Sequence, residues 1–115
     1  MLPEQLFAAL SDTTRLRALM LILAEDDVCV CELTFALQES QPKISRHLAL
    51  LRDTEIVTAR RAGTWMHYSL NPDLPFWARR SIEQIHRQLR ELDRFAVDRA
   101  RLHTMADRPG ELSCA

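Results

Sequence analysis

Cys29 and Cys31, separated by one residue, are the pair in this 115-residue chain whose chemistry is easiest to state. Thiolates are soft ligands that select As(III), Sb(III), Cd or Zn over hard cations. Residues two apart on a helix point about 200° away from each other, so two helical cysteines could not chelate one ion. Cys29 must therefore lie in non-helical backbone before a helix, or the first turn of that helix must unwind when an ion binds. A place near a helix N-terminus favours the Cys31 thiolate, and the neighbouring Glu32 works against it. Two other readings stay open: a pair of small residues packed in a core, and a redox switch through a disulfide. Cys114 makes the count odd, which argues against a structural disulfide framework. It reads as an incidental thiol near the C-terminus, or as a third ligand.

The second chemical feature is basic. From Ser40 to Leu51 the residues Ser-Gln-Pro-Lys-Ile-Ser-Arg-His-Leu-Ala-Leu-Leu open like a helix, with Ser40 as cap and Pro42 in the first turn. Ile44, Leu48 and Leu51 fall on one stripe, which leaves Pro42, Lys43, Ser45, Arg46 and Ala49 facing outward. That face offers donors to bases and phosphates without a bulky apolar group, as a helix in the DNA major groove requires. Gln41 and Ser45 are the candidates for reading bases, and Lys43, Arg46 and His47 complete the candidate contact set. His47 itself lies toward the buried side and is expected to pack or hydrogen-bond.

Several elements must position these groups. Leu2, Leu6, Phe7 and Leu10 form a first helical stripe. Ser11 or Asp12 caps a second helix, whose Leu16, Leu19, Met20 and Leu23 point inward. After the acidic break Glu25-Asp26-Asp27, a third helix runs from about Cys31 to Leu37, with Leu33 and Leu37 buried. The turn Gln38-Glu39-Ser40 then joins it to the basic helix, which makes a helix-turn-helix. Beyond Glu55 the period changes to two. Ile56–Arg61 and Thr64–Leu70 read as strands joined at Ala62-Gly63, with Met66, Tyr68 and Leu70 facing the helices. A hairpin in this place is a wing, and Arg60, Arg61 and His67 would meet phosphates there. A long helix from about Pro75 carries Ala78, Ile82, Ile85, Leu89, Leu92 and Ala96 at spacings of four and three. With Leu6 and Phe7 of the first stripe, Ala78 to Leu92 form the expected homodimer interface. The fold predicted is mainly α with a small β-hairpin, a winged helix-turn-helix in the order α-α-α-α-β-β-α that dimerises through its first and last helices. Residues 1–102 form one domain, and residues 103–115 a flexible tail.

Totals narrow the function classes. Net charge is −1, but residues 1–40 carry seven acids against Arg15 and Arg17, whereas residues 41–70 carry Lys43, Arg46, Arg52, Arg60 and Arg61 against two. A local basic patch suffices for DNA, because phosphate contacts are local. With only Gly63 and Gly110, no phosphate-cradling loop exists, and no nucleophile sits in a catalytic setting, so an enzyme is not expected. No stretch is apolar enough to span a membrane and no signal peptide is read, so the chain is expected to be cytoplasmic.

Three blocks together resemble a known family. Cys29-Val-Cys-Glu-Leu33, Ser40 through Arg52, and Arg61-Ala-Gly-Thr-Trp-Met-His-Tyr-Ser-Leu70 are similar to the arsenical-resistance repressors of the ArsR family, as is Leu10-Ser-Asp-Thr-Thr-Arg-Leu16. The likeness spans roughly residues 2–95. It implies a homodimeric winged-helix repressor, bound to double-stranded operator DNA without any cofactor and released by As(III) or Sb(III). The inducer motif carries over to Cys29 and Cys31, and the recognition block to Gln41–Leu51. One departure is Thr34, which stands where arsenic-responsive members often have a third cysteine. A second metal site of the family uses Asp and His pairs on the last helix. Glu83, His86 and Asp93 lack that spacing and read as surface residues, as does His103. The alternative to metalloid sensing is a redox-switched, or Cd- or Zn-responsive, repressor. A metal-binding chaperone that uses its basic patch for protein partners is the reading furthest from these.

Overall fold

The computed structural model describes residues 1–106 and 108. It orders them as α1 (Pro3–Leu10), α2 (Thr13–Glu25), β1 (Val28–Cys29), α3 (Val30–Leu37), α4 (Gln41–Asp53), β2 (Val57–Ala62), β3 (Trp65–Leu70), α5 (Phe76–Leu89) and α6 (Asp93–His103). The starts of α2 and α4 follow their caps. The Asp12 carboxylate accepts from the Arg15 N–H at 3.0 Å to begin α2. Ser40 Oγ accepts from the Lys43 N–H at 3.4 Å to begin α4, with Pro42 in the first turn. The end of α4 is equally explicit. Glu55 N–H donates to Arg52 O and Ile56 N–H to Leu51 O, a Schellman closure, and the flanking apolar pair Leu51 and Ile56 is fully buried. Glu55 takes φ 63° there, a left-handed position that favours glycine. Glu55→Gly is expected to raise the unfolding free energy by about 1 kcal/mol, read as a higher urea midpoint at unchanged slope.

The expected hairpin is present, one residue later than its sequence signals suggest. Ala59 pairs with Tyr68 and Ala62 with Trp65, leaving Gly63 and Thr64 as the turn. Gly63 alone of the two has positive φ, at 64°, which is what a II′ turn asks of its first central residue. A third strand was not foreseen: β1 pairs antiparallel with β3, Val28 opposite Tyr68 and Cys29 opposite His67, giving the order β1-β3-β2. Tyr68 is buried, with Met66 and Leu70 packed beside it on the helical core, the set expected to face inward.

That core is built from Leu6 of α1, Leu19 and Ile22 of α2, Leu33 and Leu37 of α3, Ile44, Leu48 and Leu51 of α4, and Ile82 of α5. The single long C-terminal helix is corrected. The chain leaves helical geometry at Leu92, with φ −59° and ψ 141°, and α5 and α6 are separate. The reason is what each buries. Ala78 and Ile82 turn one face of α5 into the core, while α6 must direct Phe95, Asp98 and Leu102 inward. One straight helix cannot serve both.

α6 in turn secures the end of α3. The last carbonyls of a helix lack partners within it. Here Arg101 Nη1 donates to Ala36 O at 2.6 Å and Arg17 Nη2 to Leu37 O at 3.2 Å. Arg17 is itself held by the buried Asp98 carboxylate, at 2.8 and 2.7 Å. That hydrogen-bonded pairing raises the Arg17 pKa against the opposing effect of burial. Gln38 then takes a left-handed conformation, φ 54°, at the turn into α4.

Candidate thiol site and nucleic-acid interface

Cys29 occupies the junction between strand and helix. It is the last residue of β1 and the N-cap of α3, with extended backbone at φ −89° and ψ 163°, while Cys31 is already helical. The non-helical position that a shared ion demands of Cys29 is therefore met. Its Cα lies 5.5 Å from that of Cys31, and the two sulfurs are joined as a disulfide. Cys29 is fully buried and Cys31 half-buried. The Cys29 sulfur also acts as a cap, accepting from the Glu32 N–H at 3.4 Å, and Glu32 Oε1 accepts the Cys29 N–H at 3.0 Å.

Glu32 is itself fully buried, and a cation reaches it from beyond α6. Arg108 donates to Glu32 Oε2 at 2.7 Å and to Glu25 Oε1 at 2.8 Å. Burial pushes the Glu25 carboxyl pKa up, but the bonds from Arg108 and His103 outweigh that and leave it below the usual carboxylate range. His103 is exposed, as expected, with Nε2 3.2 Å from Glu25 Oε2. Met105 packs against the core. Cys114 lies outside the described residues.

The described residues assemble no group of three or more His, Cys, Asp or Glu side chains around a metal position. Cys29 and Cys31 spend their sulfurs on each other, and Thr34 donates to Val30 O at 2.9 Å. Reduced, the pair would present two thiolates within reach of one thiophilic ion.

The outward face of α4 matches its reading. Gln41, Ser45 and Arg46 are exposed, and Lys43 pairs with Glu39 at 3.1 Å in a solvent-exposed setting that is worth little. His47 packs inward as expected, its Nδ1 3.3 Å from Arg15 Nη1 and 3.7 Å from Asp12. Burial lowers its pKa, the nearby Asp12 opposing. Arg15 also donates to the last carbonyls of α1, Ala8 O and Ala9 O, so α1, α2 and α4 meet at one guanidinium.

The wing differs from expectation at one residue. Arg60 and Arg61 are both exposed, Arg60 in an ion pair with Asp27. His67 was expected to touch phosphate. It is instead 3% exposed, with Nδ1 3.4 Å from Asp27 Oδ2, because β1 covers the strand edge that a two-stranded wing would leave open. Sequence reasoning missed this row of Asp27, His67 and Arg60. The available signal was that Asp27 and Cys29 are two residues apart, and so on one face of any extended segment.

The expected dimer residues divide into two sets. Leu6, Ala78 and Ile82 are 0%, 0% and 1% exposed within one chain, so their side chains belong to the protomer core. Ile85 and Leu89 are half-buried, whereas Phe7 and Leu92 are exposed. Leu2 on the α1 side and Phe76 and Trp77 at the start of α5 add exposed apolar surface that was not singled out.

Residues 12–59 match the model of the arsR family of bacterial regulatory proteins. Over 108 residues the chain is 46% identical to the arsenic resistance transcriptional regulator ArsR2 of Pseudomonas putida, covering 93% of this chain and 91% of that one. The chain belongs to the ArsR family. Another ArsR-family relative, the arsenical resistance operon repressor of Escherichia coli K12, is 48% identical over 87 residues, 76% of this chain and 74% of its own. Among solved structures, the AntR antimony-specific transcriptional repressor superposes with a TM-score of 0.61 at 29% identity, covering 75% of each chain. The fold is the winged helix-turn-helix of this ArsR-family group. Its matched segment runs from the Asp12 cap through α3 and α4 into β2, so the family match contains both the thiol pair and the exposed face of α4. No described helix is long and apolar enough to cross a membrane.

Proposed function

We propose that this ArsR-family chain is a transcriptional repressor that binds double-stranded operator DNA as a homodimer through α4 and the wing. Trivalent arsenic or antimony on the reduced Cys29–Cys31 pair releases it. The observation that carries the reading is the meeting of the two sulfurs at the N-cap of α3, one short helix before α4. Support for the inducer comes from relatives named for arsenic resistance and a neighbour named for antimony. No cofactor is needed to bind DNA.

The mechanism starts at the cap. A Cys29 sulfur drawn toward an ion shifts relative to the Glu32 N–H it caps, and the first turn of α3 must adjust to bring Cys31 to the same ion. The far end of α3 is gripped by Arg17 and Arg101, so the helix shifts as a body rather than fraying. Its displacement passes through the Gln38 turn to α4. Coupling of about 1–3 kcal/mol, or 5–150-fold in affinity, is typical for such linked sites. Dimerisation through the exposed Leu2, Phe7, Phe76 and Trp77 would present two α4 helices to half-sites about one helical turn apart.

The test is a gel shift with reduced protein on the promoter upstream of its own gene, titrated with arsenite and antimonite. Release over the fold-range above is expected, and unchanged affinity at saturating inducer overturns the reading. On the same DNA, Lys43→Ala, Arg46→Ala and Arg61→Ala should each flatten the log–log salt dependence by about one unit. Substitutions of Gln41 or Ser45 should alter sequence preference instead.

A second reading is favoured by the disulfide itself: oxidation of the pair, rather than an ion, would release DNA. Peroxide and arsenite titrations of the operator complex, each under matched reducing control, separate the two.

A further inference from the structure

Among the described residues, His67 has both ring nitrogens buried and without a hydrogen-bond partner. Its side chain is 4% exposed. Buried polar atoms in native proteins are nearly always satisfied, and an orphaned pair on one ring calls for an explanation. The sheet register offers one. His67 is the direct antiparallel partner of Cys29, so both side chains stand on the same face of the sheet. Directly opposed Cβ atoms in such a pair are about 4.5–5.5 Å apart. From the other side, Asp27 places Oδ2 3.4 Å from His67 Nδ1, and the Arg60 guanidinium holds that carboxylate.

We propose that His67 is the third donor to the ion held by Cys29 and Cys31, with Asp27 as the residue that positions it. The inference rests on the metalloid reading of the thiol pair. A ligating imidazole commonly gives its other N–H to a carboxylate, which fixes the tautomer and makes the free nitrogen a better donor. Asp27 Oδ2, 3.4 Å from Nδ1 but not hydrogen-bonded to it as the ring now stands, is placed to supply that arrangement once the ring turns, leaving Nε2 for the ion. Trivalent arsenic takes three donors, and Thr34 leaves the chain one thiolate short in α3.

The chemistry balances without any change in the oxidation state of arsenic. A thiol or phosphine reductant first delivers two electrons and two protons to the disulfide, giving two thiols. Arsenous acid then exchanges two As–O bonds for two As–S bonds, and the thiol protons leave with two hydroxides as two waters. The third hydroxide takes a proton from solution and leaves as water when Nε2 occupies its place. The positive charge gained is shared by the imidazole, whose Nδ1 lies 3.4 Å from the Asp27 carboxylate.

Two arsenicals separate this proposal from the reading it rests on. Arsenite has three exchangeable positions, whereas phenylarsenous acid has two and needs only the thiols. With reduced protein, His67→Phe and His67→Gln should each weaken arsenite binding at least tenfold, in the range that disruption of a metal site's ligand surroundings typically produces. Phenylarsenous acid should bind as in wild type, which also shows that the thiol site has kept its fold. Asp27→Asn should lie between the two. Wild-type affinity for arsenite in both His67 variants overturns the inference, as does a tenfold loss in Cys114→Ser without one in the His67 variants. If the wild type binds neither arsenical, it is the metalloid reading that fails. A further readout needs no variant: with ¹⁵N-labelled histidine, one equivalent of arsenite should move the His67 Nε2 resonance, and a resonance that stays in place overturns the assignment.

Discussion

Arg17→Met is expected to cost about 3 kcal/mol of folding stability, a large part of the roughly 5–15 kcal/mol available to such a domain. Asp98 is 2% exposed, and Arg17 meets it with two hydrogen bonds of 2.7 and 2.8 Å. Removing the guanidinium leaves a carboxylate in the interior with only Arg101, 3.7 Å away, to compensate. Breaking one side of a buried pair typically costs about 3–5 kcal/mol. The lower end is expected here, because Arg101 remains and the Arg17 side chain is 19% exposed. Asp98→Asn in the same chain removes the stranded charge, so the double variant should recover about 1–3 kcal/mol relative to the sum of the single losses. Urea unfolding of the four proteins measures this directly, and additive losses would show that the pair is not coupled. Function should follow structure: Leu37 O also loses its donor, so operator affinity should fall under conditions where the variant remains fully folded.

The elements that hold this clamp differ in how far the sequence announces them. Asp12 and Ser40 are local signals, and the helices they cap start where the side chains say. The change to a period of two after Glu55 likewise marks the hairpin to within one residue. What was illegible depends on partners far along the chain. Asp98 finds Arg17 across 81 positions, and that pairing directs α6 inward and ends the apparent heptad seam at Leu92. Leu6, Ala78 and Ile82 carry the apolar spacing of an interface, but spacing cannot say whether an apolar stripe meets another copy or its own core. His67 was misplaced for a related reason. Alternation in β3 identifies its two faces, yet only the pairing of the two-residue β1 with β3 reveals that the second face is covered as well. The thiol pair is the reverse case. A Cys-x-Cys pair that shares one ion needs either a non-helical Cys29 or an unwound first turn, and the fold has the first of these.

Cys29→Ser is expected to abolish arsenite release while preserving both fold and operator binding. The reason lies in the two roles of the Cys29 sulfur. As a cap it accepts the Glu32 N–H at 3.4 Å, and a serine hydroxyl is among the best acceptors at that position. Placing a hydroxyl where a fully buried thiol stood should cost only about 1 kcal/mol, since the cap bond satisfies its oxygen. As a soft donor, however, serine is no substitute for a thiolate. Operator affinity without inducer should stay within about threefold of wild type, and the 5–150-fold release by arsenite should vanish. Cys29→Ala removes the cap as well and should lose about 1 kcal/mol more, with the same unresponsive phenotype. Cys31→Ser completes the set. It carries no cap, is half-buried, and should be nearly neutral in stability and equally deaf to arsenite. Three variants with graded stabilities and one shared loss of response would assign the switch to sulfur rather than to the capping turn. Normal arsenite release by Cys29→Ser would place the sensor elsewhere in the chain.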